Sequence, residues 1–351
     1  MKNAKLFRSI AFVLVVLSLL YVMCDLFEYN NDHSSQRIET YQHLEKNTVD
    51  VVFAGTSGMD RYWIPPKAFE EYGITAYSLS TEAMPTWLLK SMLIEAEKNQ
   101  NPELVIFDMR SFMLSYDKGE INDVRSRRVI DVLDFFSMSR FSAINRTLKV
   151  LSKWDDDTSR FDPSFFLSFI RYHSRWEEEG FTFDELKDPE SDYMGFFIHN
   201  ELTVAPIDKV TKDFVTDERE PLDPLCEQQL YELLDYVSKK DYEVLFLDTP
   251  HNHNEIEAKR MNTMCDILDE EGIKYLACEV DEKYDFVKDF YNDGHVNYYG
   301  AEKFTPWFAE YLLENYDLPD RRSDEDCKAW YGVYDVIKNK VAELEKTAAA
   351  K

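Results

Sequence analysis

Two patterns of apolar and polar positions alternate along this chain of 351 residues. Five short runs are almost entirely apolar, which is typical of parallel strands that are covered on both faces. The predicted strands span residues 49–54, 76–80, 104–108, 244–248 and 273–277.

The segments between these strands carry apolar residues at helical spacing, most clearly in residues 87–96, 230–237 and 261–268. Strands that alternate with amphipathic helices form βαβ units, which build a parallel sheet with helices on both faces. The pattern therefore predicts an α/β fold with three α/β/α layers and a flavodoxin-like parallel sheet.

The alternation stops between about residues 114 and 223, a stretch rich in aromatic and charged residues. Helical spacing in residues 129–136 predicts that this stretch is a mostly helical insertion over the sheet edge, a candidate lid. We expect one domain, with the insertion, over residues 48–318. The polar residues 28–47 are predicted to form a stalk, and residues 319–351 a charged, helical C-terminal tail.

The first 27 residues carry a different pattern. Lys2, Lys5 and Arg8 precede an apolar run over residues 10–24. With the apolar residues just before it, this run approaches the ~17–20 residues that a membrane-spanning helix needs. Cations come first and acidic residues follow, so the positive-inside rule puts the N-terminus in the cytoplasm. We predict a single-pass anchor over residues 1–27 that carries an extracellular domain at the cell membrane.

Two other interpretations of this segment remain open. A cleaved signal peptide requires small residues near the cleavage site, whereas Tyr21, Val22 and Met23 are bulky. A lipoprotein anchor at Cys24 requires a small residue before the cysteine, and Met23 is large. The uncleaved anchor is therefore favoured.

Charge and cysteine content narrow the class of protein. Acidic residues outnumber basic ones by 67 to 40, which gives a formal net charge of -27. A surface this acidic repels nucleic-acid phosphates, so nucleic acid is not an expected partner. The five cysteines form no CxxC pair and no zinc-finger spacing. We expect buried free thiols, with a Cys265–Cys278 bridge as the alternative outside the cell.

Gly55-Thr56-Ser57 directly follows the first predicted strand and precedes a predicted helix. In a parallel α/β sheet this position lies at the carboxyl edge, where ligands bind. Ser57 is therefore a candidate nucleophile, and free N–H groups at a helix start can hold an oxyanion. Gly58 would let a substrate approach the backbone. The alternative is a serine that only caps the helix.

A second candidate lies near the C-terminus, where His295 occupies a loop before an amphipathic helix. From such a loop an imidazole can reach the sheet edge and accept the Ser57 proton as general base. A neighbouring acid would orient the ring and stabilise its charged form. The alternative is a loop histidine with a local hydrogen bond only.

An early strand followed by Gly55-Thr56-Ser57, paired with a late loop that carries His295, resembles the SGNH (GDSL-like) hydrolase superfamily. Residues 294–300 are similar to its DltD-like branch of membrane-anchored proteins in teichoic-acid D-alanylation. The alginate-type polysaccharide O-acetyltransferases resemble the chain more distantly. The resemblance covers about residues 48–112 and 243–316.

The resemblance implies a serine esterase or O-acyltransferase that acts on acyl esters of cell-envelope polymers through an acyl-Ser57 intermediate. It implies a teichoic acid or surface polysaccharide as partner, with a membrane-bound O-acyltransferase as a further partner. It implies neither a metal nor an organic cofactor. The alternative is a catalytically weak or inactive DltD-like scaffold that binds such a polymer or acyltransferase.

The sequence departs from the family pattern at the acid that orients the histidine. That position, three residues before His295, is occupied by Asn292, and Asp293 follows it. An asparagine can accept the imidazole N–H, but it cannot offset the charge of a protonated ring. Asn292 and Asp293 therefore both remain candidates for orienting His295.

The oxyanion and substrate contacts depart from the pattern as well. A backbone N–H near Thr81 or Glu82 is the candidate donor after the second strand. The family's asparagine after the third strand is absent, and Arg110 becomes a candidate for binding an anionic group or the oxyanion. The alternative for Arg110 is a salt bridge to Asp108 or Glu82.

His251 and His253 follow the fourth strand, again at the functional edge. Two histidines at alternating positions can bind a metal, but no carboxylate or thiol partner is obvious from the sequence. We therefore predict that His251 lines the substrate site, and we predict no metal ligands.

Overall fold

A five-stranded parallel sheet forms the centre of the molecule, so the predicted α/β class is confirmed. Its strands are β1 Val51–Gly55, β2 Ala76–Ser80, β3 Leu104–Asp108, β4 Glu243–Asp248 and β5 Lys274–Ala277. Each lies within two residues of its predicted bounds. The computed structural model describes residues 2–27, 33–115, 123–154, 162–177, 192–199, 202, 213–278 and 283–350.

The strands are arranged in the order β2-β1-β3-β4-β5. Because β1 lies between β2 and β3, the chain changes direction there, and a crevice opens beyond the carboxyl ends of β1 and β3. The register brings these ends level, with Gly55 beside Ser80 and Asp108 beside Leu247. Residues that follow the strands therefore meet at one edge.

Thirteen α-helices occur in the described residues. They are α1 Lys2–Phe27, α2 His33–His43, α3 Pro65–Tyr72, α4 Thr86–Ala96, α5 Arg110–Met113, α6 Asp123–Ile130, α7 Met138–Trp154, α8 Phe169–Tyr172, α9 Pro224–Val237, α10 Glu255–Glu270, α11 Phe286–Asp289, α12 Tyr298–Asn315 and α13 Val333–Ala349. Short 3-10 helices span Pro163–Phe165, His173–Glu177 and Glu325–Trp330. An antiparallel pair, β6 Phe290–Asn292 and β7 His295–Val296, precedes α12.

Both faces of the sheet are buried, which explains the nearly continuous apolar runs of its strands. Val52 and Val105 belong to one hydrophobic cluster, together with residues of α4 and α9. Val51 and Phe53, the neighbours of Val52 in β1, belong to a second cluster with residues of α3 and α12. Successive strand residues thus pack in opposite directions.

The start of α12 is fixed by Asn297, directly after the β6–β7 pair. Its side-chain oxygen accepts the Gly300 N–H at 3.1 Å, and its Nδ2 donates to the Lys288 carbonyl at 2.7 Å. A Cβ on Gly300 would lie 2.3 Å from the Asp289 carbonyl oxygen, so the close approach requires glycine. The hairpin that carries His295 is therefore held firmly at its C-terminal end.

Helix α1 includes Ala4–Phe27, a stretch long and apolar enough to cross a membrane as an anchor or to act as a signal sequence. Its side chains are largely exposed. Near its C-terminal end, the Tyr21 ring lies 5.5 Å from the Phe135 ring and 5.9 Å from the Phe136 ring. The helix thus contacts the insertion.

The predicted stalk over residues 28–47 is wrong for the part that the structure describes. Helix α2 packs on the domain, with Ile38 and Tyr41 almost fully buried. Arg37 is buried as well and donates to the Asp60 carboxylate at 2.9 Å. The prediction was wrong because the segment combines an exposed polar face with buried residues, of which Arg37 is neutralised by Asp60. Residues 28–32 lie outside the described part.

The insertion is helical where it is described, in α6, α7 and α8, as predicted. Helix α7 packs against α4, and Trp87 Nε1 donates to Thr147 Oγ1 at 3.0 Å. The C-terminal tail is also helical. However, α13 buries Tyr334, Ile337 and Val341, so the tail is an integral part of the fold.

Candidate active site

The loop after β1 is shaped by one glycine and one buried carboxylate. Gly55 has a φ of +154°, and a Cβ there would lie 2.3 Å from Cβ of Asp108. The Thr56 N–H donates to Asp108 Oδ2 at 3.0 Å, and the Thr56 hydroxyl bonds to the same oxygen. Asp108, at the end of β3, thus fixes the residue that precedes Ser57.

The helix predicted directly after Ser57 is absent. The chain forms a turn in which the Met59 N–H donates to the Thr56 carbonyl at 3.0 Å, and α3 begins only at Pro65. The prediction was wrong because Ser57 and Gly58 continue into this turn and not into a helix. Any N–H groups offered to a substrate therefore come from the turn.

Ser57 and His295 meet at this edge although 238 positions separate them in sequence. Ser57 Oγ lies 2.7 Å from Nε2 of His295, which is within the distance for proton transfer to a general base. The histidine comes from β7, the second strand of the hairpin before α12.

Asn292 occupies the other side of the imidazole. Its Oδ1 lies 2.9 Å from Nδ1 of His295 and also accepts the Gly294 N–H at 3.0 Å. An amide oxygen only accepts, so Nδ1 carries the proton and Nε2 presents its lone pair to Ser57. Of the two predicted orienting residues, Asn292 makes this contact, and the amide supplies no negative charge.

The surroundings of His295 favour its neutral form. Burial lowers the pKa of His295 well below its ordinary value of 6.5. The nearby cations Arg61 and Arg110 lower this pKa further, as does His199. His295 is thus ready to accept a proton at neutral pH, whereas the resulting imidazolium lacks a compensating carboxylate.

Backbone donors for an oxyanion lie beside Ser57. Within the described residues, the N–H groups of Ser57, Gly58 and Glu82 donate to no other protein group. The predicted donor Thr81 is different, because its N–H donates to the Gly55 carbonyl at 3.2 Å. The turn itself therefore supplies two adjacent free donors, and Thr81 is not available.

A cavity of about 500 Å³ opens over Ser57 and His295. The turn after β1, the loop after β2, helix α6 of the insertion and the β6–β7 hairpin form its walls. Its lining residues are Ser57, Arg61, Glu82, Ala83, Val124, Arg125, Arg128, His199, Tyr291, Asn292 and His295. The insertion thus forms one wall of the site.

Two arginines clamp Glu82 at the cavity wall. Arg61 donates to Glu82 Oε1 at 2.9 Å and Arg128 to Oε2 at 3.1 Å. Burial raises the pKa of Glu82, but the two guanidinium groups outweigh burial and lower it overall. The guanidinium of Arg61 also lies 4.8 Å from the centre of the Phe197 ring. This carboxylate fixes the positions of both cations.

Sequence reasoning missed most of this wall. Arg61 follows Ser57 by four residues, so its position in the same loop was the one available signal. Arg128, His199 and Tyr291 come from distant segments, and the rings of the last two stack with centres 3.7 Å apart. No spacing rule links these segments to β1.

Arg110 contacts the loop that carries His295, and its predicted role in binding an anionic group stays a prediction. Its Nη1 donates to the Gly294 carbonyl at 2.7 Å, and its backbone N–H donates to Asp108 Oδ1 at 3.1 Å. It forms no salt bridge with Asp108 or Glu82 in the part of the chain that is described. Arg110 therefore holds the loop of His295 and does not line the cavity.

His251 does not line the cavity either, in contrast to the prediction. It is buried, and Nδ1 lies 2.7 Å from the Thr249 carbonyl. His253 lies between two carboxylates, with Nε2 3.0 Å from Asp248 Oδ2 and Nδ1 3.1 Å from Asp213 Oδ1. Asp248, the last residue of β4, is the carboxylate partner that the sequence did not reveal.

No protein-family model matches this chain, and no curated protein matches it. The functional argument therefore depends on the geometry of the site.

Proposed function

We propose that the protein is a membrane-anchored serine acyl hydrolase or acyltransferase of the SGNH type. The observation that carries this proposal is the 2.7 Å contact between Ser57 Oγ and His295 Nε2. Nδ1 of the same ring is held by Asn292, and two free N–H groups lie at the nucleophile. Nucleophile, base, orienting group and oxyanion donors are the set that acyl transfer requires.

In the proposed reaction, Ser57 Oγ attacks the carbonyl carbon of an acyl ester while His295 Nε2 takes the hydroxyl proton. The N–H groups of Ser57 and Gly58 would hold the tetrahedral oxyanion. The intermediate collapses, and the leaving alkoxide takes the proton from His295. Water or an acceptor hydroxyl then attacks acyl-Ser57, again with His295 as base, which releases the acid or the transferred ester.

The SGNH assignment also rests on the fold. The strand order β2-β1-β3-β4-β5 is that of flavodoxin-like sheets, and both faces of the sheet are buried. We propose a three-layer α/β/α arrangement with the site at the switch point beside β1. This matches the resemblance carried by Gly55-Thr56-Ser57 and His295.

The proposed substrate is an acyl ester on a cell-envelope polymer, a teichoic acid or a surface polysaccharide. The family resemblance suggests this class. The cavity adds Arg61, Arg125 and Arg128 against the single carboxylate of Glu82, in a protein whose net charge is -27. Such a local concentration of cations favours an anionic polymer. With α1 as an anchor and its N-terminus in the cytoplasm, the site would face the envelope.

A second candidate is a weakly catalytic or inactive scaffold that binds such a polymer or a membrane-bound O-acyltransferase. One observation favours it: Asn292, and not a carboxylate, contacts Nδ1 of His295. The imidazolium formed during the reaction would then be stabilised poorly. In this candidate function, the cavity and its cations bind a ligand, but Ser57 turns over little or no substrate.

The test uses the full chain in detergent and an activated acyl ester such as p-nitrophenyl acetate. We expect a mass increase of one acetyl group on the peptide that contains Ser57. Ser57→Ala should abolish it, whereas Ser238→Ala, at an exposed helix end, should not. Unmodified protein, with binding of an anionic polymer retained, would support the scaffold.

A further inference from the structure

A second cluster of polar side chains lies at the carboxyl end of β4, outside the cavity of Ser57. Asp248, His251 and His253 each offer one ligating atom, and these atoms lie within 4.8 Å of one another. Asp248 and His251 are buried, and His253 is largely buried, with 14% of its side chain exposed. The reaction of Ser57 uses none of the three.

Two polar atoms of this cluster are buried without a hydrogen-bond partner in the described residues. They are Asp248 Oδ1 and His251 Nε2. Buried polar atoms are normally paired, so two unpaired ones in a single cluster of ligating side chains point to a ligand there. Oxygen and imidazole nitrogen together suit a divalent cation of the zinc class.

The rings are also held in the way that metal-binding histidines are held. Asp213 Oδ1 accepts from Nδ1 of His253 at 3.1 Å, which leaves Nε2 of His253 facing Asp248. Nδ1 of His251 lies 2.7 Å from the Thr249 carbonyl. A carboxylate or carbonyl behind each ring fixes its orientation and raises its basicity as a ligand.

On these observations we propose that Asp248, His251 and His253 bind one divalent transition-metal cation, with Zn²⁺ as the preferred ion. With zinc–ligand bonds of about 2.0–2.2 Å, atoms as far apart as 4.8 Å must move closer together, whereas Asp248 Oδ2 and His253 Nε2 are already 3.0 Å apart.

The charges around the cluster and its access to solvent both suit a bound cation. Asp248 and Asp213 provide two carboxylates, and Asp108 lies near enough to influence Asp248. Arg110 is the opposing positive charge on the same side. The Asp213 side chain is 38% exposed, which gives the cation a route from solvent. With three protein ligands, a fourth coordination position stays open for water.

The experiment titrates the chelator-treated full chain in detergent with Zn²⁺ against a chromophoric chelator. We expect one tight site per chain. His253→Gln should weaken binding more than 100-fold, and Asp213→Asn, which removes only the partner behind the ring, about 10–100-fold. His173→Gln, at an exposed histidine outside the cluster, should bind as the unmodified chain does. Circular dichroism of each variant separates lost binding from lost folding.

Cobalt(II) distinguishes this site from a thiol site. Cys265 is the cysteine to exclude, because Asp248 influences its thiol. We expect Co²⁺ to give d–d absorption without a thiolate charge-transfer band, unchanged in Cys265→Ser. Zinc binding that persists in a folded His251→Gln/His253→Gln double variant would overturn the proposal, as would no tight site in the unmodified chain. Ser57→Ala should bind zinc normally, which separates this proposal from the acyl chemistry.

Discussion

His295 and His253 lie at the same edge of one sheet, yet their surroundings favour opposite protonation states, with His253 protonated until a cation displaces its proton. His295 has an amide on one nitrogen and arginines nearby, and its pKa is lowered well below 6.5, first by burial. His253 lies between Asp248 and Asp213. Burial opposes its charge, but the two carboxylates raise its pKa to about 9. The partner of each ring, and not burial alone, thus decides whether it can act as a base.

Removing the imidazole of His295 should have the largest effect on activity. His295→Ala takes away the group that accepts the Ser57 proton, so turnover of an activated ester should fall about 10³–10⁴-fold. The matched control is His43→Ala, at an exposed ring whose Nδ1 lies 2.8 Å from the Glu39 carbonyl. Unchanged turnover in His295→Ala would contradict the role of His295 as general base.

Asn292→Asp makes the surroundings of His295 more like those of His253. A carboxylate at 2.9 Å from Nδ1 would stabilise the imidazolium and raise its pKa. We expect kcat to rise about 10-fold or more, because orientation of the ring is kept while charge is added. The acidic limb of the pH–rate profile should move to higher pH. An unchanged rate and limb would show that Asn292 does not govern His295.

Arg110→Gln tests a cation that acts on His295 and also on His251 of the second cluster. It removes the 2.7 Å bond to the Gly294 carbonyl and one positive charge near His295. Removing a cation raises the pKa of the imidazole, so the acidic limb of activity should shift upward. We expect kcat to fall about 10-fold with little change in KM, since the positioning of the base suffers. Arg110→Lys should keep the acidic limb near its original pH. An acidic limb that stays at the same pH in Arg110→Gln would contradict an influence of Arg110 on the pKa of His295.

Tyr62→Phe should have the smallest effect, and it tests the link between the two regions. The buried Tyr62 hydroxyl lies 2.8 Å from the Pro250 carbonyl and 3.1 Å from the Gly294 carbonyl. It therefore joins the loop after β4 to the loop of His295. Its loss should lower the free energy of unfolding by about 1–2 kcal/mol, measured by urea denaturation. A fall in kcat without a matching fall in the free energy of unfolding would mean that this link between the two loops serves catalysis.

The sheet could be predicted from sequence because β1 and its neighbours are buried on both faces and therefore read as unbroken apolar runs. The Ser57–His295 pair could be predicted because Ser57 follows a recognisable strand and His295 precedes a recognisable helix. Other features carry no such signal. The segment predicted as a stalk is a packed helix in which Arg37 pairs with Asp60, and this pairing is visible only in the tertiary structure.

The sequence did not show which side chains contact the rings of His295 and His253. Asn292 and Asp293 are adjacent, and only the hairpin geometry decides which one contacts Nδ1. Asp248 reads as the end of a buried strand, so its carboxylate was not connected with His251 and His253. These contacts are local in sequence, but they depend on irregular loop conformations, which have no periodicity that a single sequence displays.

The rate at which a fluorophosphonate modifies Ser57 tests the central claim most directly, because this reaction needs the nucleophile and its base but no acyl acceptor. Measured on the full chain from pH 4 to 9, the rate should be constant above pH 6.5. It should fall only in a more acidic range, where His295 becomes protonated, and His295→Ala should nearly abolish it. Absent modification of Ser57, or a rate that His295→Ala leaves unchanged, would contradict a serine nucleophile activated by His295.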